Sequence, residues 1–414
     1  MDNKIISFVL RAKRFLKTGQ IRHFEARISH ETKKSHRRIG YWADRCVKKV
    51  DVLTGEGLYI ESKDPVVVQG YRLLQNSLAV FKNKCVSLEQ LRVLIHVPPA
   101  HFSPGGYSIF KNLTQSLSYL GIASKGIEWE DGTAGALADF KPSVFITSDH
   151  PRYLNRIDWP TVKKYKTKNL LMVGLTASLE QYGNSPLSNR LEWAKEKGVN
   201  FYYSFRDPDY LKNREEYRPF YDRGYPILTV EFGANPLLYH PIPNITRDLD
   251  YVFLASVNRA KWPRYFAFLK AIASEKYGYI DGPGWRFSRG SSMITQRDRF
   301  LYARTNVGLN LHLQEQIDWP CELNERTYQL AACGVPQLID KPALLYKRFK
   351  PGRFFVASSP EEYENLFDYI LSHPAQAQDN ALIAQRDTFA GHTTFHRAEQ
   401  FALQLKEIMN AAPA

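Results

Sequence analysis

The sequence predicts an α/β protein with two Rossmann-like, doubly wound domains in series, preceded by a basic helical extension. Three observations support this prediction. Short β-rich apolar runs alternate with helical patterns, which is typical of parallel sheets covered by helices on both faces. The alternation starts a second time after Arg247. The length of 414 residues suffices for two domains and an extension.

The excess positive charge is concentrated at the N-terminal end of the chain. The net charge is +14, and residues 1–50 hold 14 Lys and Arg against four acidic residues, whereas the rest is nearly balanced. Apolar residues at helical spacing, with basic residues between them, predict an amphipathic helix there. Such a helix either lies on an anionic membrane surface or packs on the protein with its charged face solvated. We expect residues 1–90 to form a basic helical N-terminal extension, with a further helix at 69–81.

The predicted N-terminal Rossmann-like domain covers residues 91–240 and begins with a buried strand. The run "LRVLIHVPPA" at 91–100 is short and apolar, and "SPGGY" with a helical pattern follows it. A strand, a glycine turn and a helix in this order form the first unit of a doubly wound domain. Further strands are predicted at 143–148, 169–176, 199–205 and 225–232, and a helix at 186–197.

The predicted C-terminal Rossmann-like domain covers residues 241–395 and repeats the alternation of strands and helices. Its predicted strands are 249–256, 277–285, 306–313, 334–340 and 353–359. Its predicted helices are 263–276, 295–305, 324–332 and 360–372. A final helix, predicted at 396–409, belongs to a separate C-terminal segment, 396–414.

The stretch "CELNERTYQLAACGVPQLID" at 321–340 contains the strongest candidate for a ligand site. Asp318 or Asn324 can cap the predicted helix, and Gly334 can end it. The N-terminus of such a helix points into the crevice of a doubly wound domain, where its unpaired N–H groups bind phosphate. Arg326 lies in the first turn and suits the same ligand. The alternative is an ordinary amphipathic helix with a solvated polar face.

Other candidates lie in loops that follow predicted strands. Arg259 and Lys261 follow the first strand of the second domain, and two cations so close together can neutralise a diphosphate leaving group. A solvated loop is the alternative. Gly282 ends the next predicted strand in a glycine turn. Gly105 and Gly106, in "SPGGY", allow the backbone to approach a ligand closely.

Aspartate and histidine residues in loops are weaker candidates for functional residues. Asp149 and His150 follow a strand of the first domain, so we expect them at its crevice, although a lone histidine is more often structural than catalytic. No metal site is predicted. Two Asp-x-Asp pairs are instead interpreted as turn and capping residues, because their positions relative to the strands do not suit a metal: Asp207 with Asp209, and Asp248 with Asp250.

The cysteines and the hydropathy indicate a cytosolic protein. The four cysteines form no CxxC pair, which predicts reduced, structural thiols. No apolar run approaches the length of a membrane span. The apolar stretch in "MDNKIISFVLRAKRFLK" is too short for a signal peptide.

These motifs resemble a known enzyme family. Residues 301–397 resemble the C-terminal domain of the group 1 glycosyltransferases, most closely the branch named after the spore maturation protein CgeB. The matching pieces are "NVGLNLH", "LNERTYQLAACGVPQLID", "LLYKRF", "FFVASSPEEYENLFDYIL" and "HTTFHR". The linker-like "FGANPLLYHPIP" and the first glycine loop and helix extend the resemblance to about 92–400.

The resemblance implies the GT-B architecture, in which two Rossmann-like domains face each other across the active-site cleft. The second domain then binds the donor nucleotide, the first binds the acceptor, and no metal is required. The family's arginine before the "ACG" run corresponds to Arg326. Its diphosphate-binding cations correspond to Arg259 and Lys261, and its histidine that contacts the donor sugar corresponds to His150.

The paired-glutamate signature of the retaining branch is broken in this chain. Gln329 stands at the position of the ribose-binding glutamate, and the partner position holds Cys321, next to Glu322. An amide still donates hydrogen bonds to hydroxyls and accepts them, but it carries no charge. The family implies retention of the anomeric configuration, and these substitutions leave that outcome open.

The resemblance therefore implies a metal-independent glycosyltransferase. It would move a sugar from a nucleotide-diphosphate sugar to a hydroxyl of a glycan or lipid-linked acceptor, in bacterial cell-surface polysaccharide or glycoconjugate synthesis. No cofactor is expected besides the donor, which is a co-substrate. The expected catalytic residues are His150, Lys261 and Arg326. The expected donor-binding residues are Gly105, Gly106, Arg259, Lys261, Gly282, Asn324, Glu325, Arg326 and Gln329.

We expect a cytoplasmic enzyme that residues 1–50 can bring to the inner face of an anionic membrane. Two alternatives remain open: a sugar-nucleotide epimerase with the GT-B fold, and a non-enzymatic, basic nucleic-acid-binding protein. A nucleic-acid partner is not expected, because the charge excess is confined to an extension and the sequence has no recognised nucleic-acid-binding motif.

Overall fold

The computed structural model describes residues 62–179, 186–285 and 295–411. The predicted basic amphipathic helix within 1–50 lies outside these ranges. Within them, no helix is both long and apolar enough to cross a bilayer. Two parallel sheets, each covered by helices, account for most of the described chain.

The first sheet has six parallel strands in the order β2-β1-β3-β4-β5-β6. Its strands are β1 Arg92–His96, β2 Ala123–Ile127, β3 Val144–Thr147, β4 Met172–Thr176, β5 Phe201–Ser204 and β6 Ile227–Thr229. The prediction of a strand in each of five segments is confirmed. The sequence pattern missed β2, because this edge strand reads "ASKGI" and four of its five residues are partly or fully exposed.

Helices cover this sheet and precede it. They are α1 Pro65–Phe81, α2 Pro104–Tyr119, α3 Thr133–Phe140, α4 Pro151–Leu154, α5 Trp159–Lys166, α6 Leu187–Lys197, α7 Pro208–Asn213 and α8 Arg218–Asp222, with a 3-10 turn at Glu215–Tyr217. The helix starts follow the expected chemistry. Asp64 and Ser103 each accept a hydrogen bond from a backbone N–H of the first turn, and Pro65 and Pro104 occupy the first helical positions.

The second sheet has five parallel strands in the order β11-β10-β9-β7-β8. Its strands are β7 Leu249–Leu254, β8 Gly278–Asp281, β9 Thr305–Asn310, β10 Gln337–Asp340 and β11 Phe355–Ala357. All five were predicted from the sequence. The central pair is β7 and β9, and the chain leaves this pair in opposite directions, which makes it the topological switch point of the sheet.

The helices of the second half are α9 Trp262–Glu275, α10 Thr295–Arg304, α11 Gln314–Asp318, α12 Glu325–Ala332, α13 Leu345–Arg348, α14 Pro360–Ser372, α15 Pro374–Gly391 and α16 Thr394–Ala411. The sequence pattern missed α15. Most of its buried positions are alanines and polar residues, such as Ala381, Ala384 and Gln385. Because these buried residues are hardly more hydrophobic than the exposed ones, the sequence of α15 shows no clear amphipathic pattern.

Both sheets are buried on both faces. In β1, Val93 and Ile95 belong to one core cluster and Leu94 to the opposite one. Successive side chains of a strand point to opposite faces, so a strand covered twice becomes a continuous apolar run. This double burial explains why the short apolar runs identified most strands correctly.

The two ends of the described chain cross between the sheets. Helix α16 follows the second sheet but packs on the first, where Phe395 stacks on Tyr119 with ring centroids 4.7 Å apart. Helix α1 precedes the first sheet, yet Tyr71 lies in a core cluster of the second. The two segments that connect the sheets, one at Ala234 and the other at His392, are also hydrogen-bonded to each other. The Ala234 N–H donates to the His392 carbonyl oxygen at 3.1 Å.

The carboxyl ends of the two sheets face each other. Arg206, just beyond β5, forms an ion pair with Glu315, which follows β9, at 2.9 Å. The Asp207 N–H donates to the carbonyl oxygen of Cys321 across the same gap at 2.7 Å. Ligands of doubly wound sheets bind at the carboxyl ends of the strands, so the fold places both binding edges along one interdomain cleft.

Candidate functional site

The N-terminus of α12 is tied to the carboxyl end of β9. Asn324 caps the helix, because its Oδ1 accepts a hydrogen bond from the Thr327 N–H at 3.1 Å. Its Nδ2 donates to Asn310 Oδ1 at 2.9 Å and to the Leu311 carbonyl oxygen at 3.2 Å. The prediction that this helix has a polar cap is confirmed, and the cap is Asn324 rather than Asp318.

Arg326 joins the two central strands of the second sheet. Its Nε donates to the carbonyl oxygen of Leu254, the last residue of β7, at 2.7 Å. Its Nη1 donates to the side chain of Asn310, the last residue of β9, at 3.1 Å. The guanidinium also lies over the Phe253 ring. Arg326 is therefore located at the switch point, where ligands of this sheet type bind.

Lys261 shares this location with Arg326. Its Nζ donates to Ser256 Oγ at 2.9 Å, and Asn258 Oδ1 accepts from the Lys261 N–H at the start of α9. Burial lowers the pKa of Lys261, and the charge of Arg326 lowers it further. The mutual repulsion of two partly buried cations is relieved by an anion between them. Arg259 lies in the same loop and is exposed.

The glycine turn after β8 supports the cation-bearing loop. Gly282 has φ +140°, and a Cβ atom there would be only 2.3 Å from the carbonyl oxygen of Ala255. Gly284 has φ +91°, and a Cβ atom there would be 2.0 Å from the Val257 carbonyl oxygen. Side chains are excluded at both positions, so the two loops beyond β7 and β8 pack backbone to backbone.

Glu325 connects α12 to the first domain. Asn112 of α2 donates a hydrogen bond to its carboxylate, yet burial dominates and raises the pKa of Glu325 to about 7. Gln329 lies one turn further along α12 and is buried. The structure thus places Glu325 at the interdomain contact and Gln329 behind it on the same side of the helix.

Gly105 and Gly106 lie in the first turn of α2, beyond the carboxyl end of β1. Ser103 caps this helix by accepting from the Gly106 N–H at 3.3 Å. A Cβ atom at Gly106 would be 2.8 Å from Tyr153 Oη, whereas a Cβ atom at Gly105 would meet open space. Gly106 is needed for packing, and Gly105 faces a space that a ligand can occupy.

His150 caps α4 at the carboxyl end of β3. Its Nδ1 accepts from the Arg152 N–H at 3.1 Å. Burial lowers the pKa of His150, and the nearby charge of Arg152 lowers it further. The ring is therefore neutral at pH 7, with Nδ1 as the acceptor nitrogen. Because β1 and β3 form the switch point of the first sheet, Gly105 and His150 lie at the same edge.

The first Asp-x-Asp pair binds cations of the opposite domain. Asp207 caps α7 and pairs with both Lys347 and Arg348 of α13. Asp209 also pairs with Lys347. The interpretation of Asp207 as a capping residue is confirmed. Its ionic role was missed, because its partners lie about 140 residues further along the chain.

The second Asp-x-Asp pair is structural as well. Asp248 pairs with Arg304 of α10, and Asp250 accepts from the Tyr277 N–H at 2.8 Å. Within the described ranges, no group of three or more His, Cys, Asp or Glu side chains is arranged to bind a metal ion. Two cations, Lys261 and Arg326, lie at the second switch point.

Comparison with known proteins agrees with this architecture. Residues 264–402 match the model of a family described as glycosyl transferase-like. No curated protein matches the sequence. Among solved structures, T4 phage BGT in complex with its UDP-glucose substrate is similar with a TM-score of 0.50 at 10% identity, over 77% of this chain and 100% of that chain. Sucrose-phosphate synthase from Thermosynechococcus elongatus reaches 0.50 at 12% identity, over 78% of this chain and 100% of that chain.

The structural similarity confirms the predicted GT-B fold, with parallel sheets of six and five strands. The family match covers most of the predicted second domain and confirms the predicted enzyme class, a glycosyltransferase. Neither comparison tests the individual site residues or the predicted domain boundaries, which stay predictions.

Proposed function

We propose that this glycosyltransferase transfers a sugar from a UDP-sugar to a hydroxyl group of a glycan or lipid-linked acceptor. The observation that carries the proposal is the location of Arg326 and Lys261. Both lie at the switch point of the second sheet, beside the capped N-terminus of α12. A helix N-terminus and two cations together favour a diphosphate. UDP is proposed because the similar T4 phage enzyme was solved with UDP-glucose.

The proposed reaction forms one bond and breaks another. The acceptor hydroxyl oxygen bonds to the anomeric carbon of the donor sugar, and the bond from that carbon to the diphosphate oxygen breaks. The nucleoside diphosphate leaves with the electron pair, and the hydroxyl proton is released. Arg326 and Lys261 stabilise the charge that develops on the leaving diphosphate, and Arg259 adds a third cation at the loop surface.

The first domain supplies the opposite wall of the proposed site. His150 and Gly105 lie at its switch point, and the neutral imidazole suits a hydrogen bond to a sugar hydroxyl. Nδ1 of His150 accepts from the Arg152 N–H, and we assign the contact with the donor sugar to this imidazole ring. On the second domain, Gln329 and Glu325 bind the ribose hydroxyls of the nucleotide.

The proposal extends to the cellular setting. We place the enzyme in the branch named after CgeB, in bacterial cell-surface polysaccharide or glycoconjugate synthesis, on the basis of the motifs at residues 301–397. The basic residues 1–50 bring it to an anionic membrane from the cytoplasm. Vesicles of phosphatidylglycerol and phosphatidylcholine should pellet the full-length protein but not a truncated protein that begins at residue 51. Equal pelleting of the two proteins contradicts this role.

Donor binding gives the direct test of the enzymatic proposal. Thermal shifts of the full chain are measured with UDP-, GDP-, ADP- and CMP-sugars, and we expect the largest stabilisation with a UDP-sugar. Arg326→Ala should abolish the shift. Turnover of the preferred donor is then followed with and without added glycans. Conversion of the donor to an epimer without any acceptor identifies an epimerase and contradicts the proposal.

A further inference from the structure

A cavity of about 330 Å³ lies in the first domain, and Asp149 and Pro151, which flank His150 in the sequence, line it. It lies between α4 and α6, beneath the carboxyl ends of β4 and β5. Three aromatic side chains, Trp193, Tyr202 and Phe220, form much of its wall together with leucines. Two of these side chains pack on each other, since Tyr202 and Phe220 have ring centroids 4.7 Å apart. The volume accommodates one ring with a short substituent.

Arg190 is the cation that lines this mostly apolar cavity, and Asp149, Asn155 and Asn189 are its other polar lining residues. Arg190 of α6 has a side chain that is only 11% exposed. Its Nη1 donates to Asp149 Oδ2 at 2.5 Å. Its Nε and Nη2 are buried and have no hydrogen-bond partner among the described residues. Leaving two guanidinium donors buried and unsatisfied is costly, so such an arrangement calls for an acceptor.

The unused edge of the guanidinium has a definite chemical preference. Nε and Nη2 form the planar fork that binds the two oxygens of a carboxylate or phosphate. Asp149 does not bond to this edge: its Oδ2 accepts from Nη1, and its Oδ1 accepts from Thr176 at 2.7 Å. The ion pair therefore holds Arg190 in place with its bidentate edge unoccupied.

We propose that this cavity is the acceptor subsite and that it takes an acceptor carrying a carboxylate or phosphate group on a ring or apolar body. This inference rests on the proposed glycosyl transfer, since it assigns the second substrate of that reaction. The aromatic wall contacts the body of the acceptor, and Nε and Nη2 of Arg190 bind the anionic group. The acceptor then lies on the first domain, opposite the cations that bind the donor on the second.

The test measures binding to the full-length protein by calorimetry. The probes are phenyl phosphate and phenylacetate, with benzyl alcohol as the neutral analogue and UDP as a donor-site ligand in the same preparation. We expect both anions, or the one whose head group fits, to bind at least tenfold more tightly than benzyl alcohol. Their binding should persist when UDP is saturating, because the two sites are on different domains.

Two conservative substitutions separate a ligand site from a structural ion pair. Arg190→Lys keeps a positive charge beside Asp149 but removes the planar fork. We expect it to unfold near the wild-type temperature and to bind the anions at least tenfold more weakly. Arg223→Lys is the matched control, because Arg223 forms a surface ion pair with Glu192 of α6, the helix that carries Arg190. This variant should bind the anions like the wild type.

The outcomes are distinguishable from failure of the proposed function. If UDP binds and neither anion binds, the acceptor subsite is rejected while the donor site stands. Equal anion affinity in wild type and Arg190→Lys, or displacement of the anions by UDP, also rejects it. Absence of UDP binding instead counts against the proposed function itself.

Discussion

Arg326 Nε donates a hydrogen bond to the carbonyl oxygen of Leu254 at 2.7 Å. These residues are 72 positions apart in the sequence, and the bond connects the first turn of α12 to the end of β7. It holds a cation at the switch point of the second sheet, and the acceptors are a carbonyl oxygen and the amide oxygen of Asn310. Burial lowers the pKa of the neighbouring Lys261, and the charge of Arg326 lowers it further, so the two cations lie close enough to act on one bound anion.

Arg326→Ala should reduce kcat/KM for the donor by about 100-fold or more, since loss of one preorganised donor to a developing anion has this effect. Arg326→Lys should recover only part of the loss, because an ammonium group cannot bond both Leu254 and Asn310 in the same geometry. Steady-state kinetics and unfolding temperatures are measured together. Arg353→Lys, at a surface pair with Asp387, is the control. Near-normal turnover by a folded Arg326→Ala variant contradicts the assigned role.

Donor affinity should fall at alkaline pH as Lys261 loses its proton. Burial and the Arg326 charge lower the pKa of Lys261, so the protonated, anion-binding form is lost below the usual lysine pKa of 10.5. Lys261→Arg keeps its charge and should flatten the dependence of the UDP dissociation constant on pH between 7 and 10. If UDP affinity falls at alkaline pH in Lys261→Arg as it does in the wild type, a group other than Lys261 is responsible for the pH dependence.

Glu325→Gln should stabilise the protein at pH 8 but not at pH 4. Burial raises the pKa of Glu325 to about 7, so the folded protein binds a proton that the unfolded chain has released above its ordinary pKa of 4.5. Stability is therefore lost as the pH rises from about 4.5 to 7. The amide resembles the protonated acid and avoids this loss. We expect its unfolding temperature to exceed that of the wild type by about 2 °C or more at pH 8. A constant difference at all pH values rejects this explanation.

Asp207→Asn should destabilise the protein by about 3 kcal/mol at pH 7, as expected when one partner of a buried ionic network is removed. Although burial opposes it, the Tyr210 N–H together with Lys347 and Arg348 lowers the pKa of Asp207. Its contribution is present above the unfolded pKa of 3.8 and is lost as the pH falls through the lower folded value. The difference between variant and wild type in the free energy of unfolding, measured with urea, should therefore shrink as the pH is lowered below 3.8.

The neighbouring Asp209 provides the control for this prediction. It pairs only with Lys347 among the described ionic partners, and its side chain is 63% exposed. Asp209→Asn should cost less than about 1 kcal/mol, as do most exposed pairs. Similar losses in the two variants indicate that burial of Asp207 does not decide the effect.

Gly282→Ala should destabilise the protein, whereas Gly105→Ala should not. At Gly282 the added methyl would lie 2.3 Å from the Ala255 carbonyl oxygen, and φ is +140°, which together cost about 2 kcal/mol or more. At Gly105 the methyl meets open space. If Gly105 admits a ligand, Gly105→Ala lowers turnover at an unchanged unfolding temperature. Wild-type turnover of that variant removes Gly105 from the predicted site.

The local sequence determined the regular architecture of this protein. In the part of the chain that the structure describes, apolar runs identified ten of the eleven strands, because both faces of each sheet are buried. Cap chemistry offered Asp318 or Asn324 as the cap of α12, and the structure has Asn324. The order of elements indicated a switch point. These features depend on contacts within a few residues, so the pattern of neighbours in the chain records them.

Only the tertiary structure decided how the parts meet. The pairs Arg206 with Glu315, Asp207 with Lys347, and Asp149 with Arg190 join residues that are far apart in sequence. Their strength depends on burial and mutual distance, which no local pattern encodes. The same holds for α16, whose apolar face fits the first domain only because the chain crosses back. Tertiary packing, rather than local secondary-structure propensity, therefore forms the cleft and brings the charged residues that line it together.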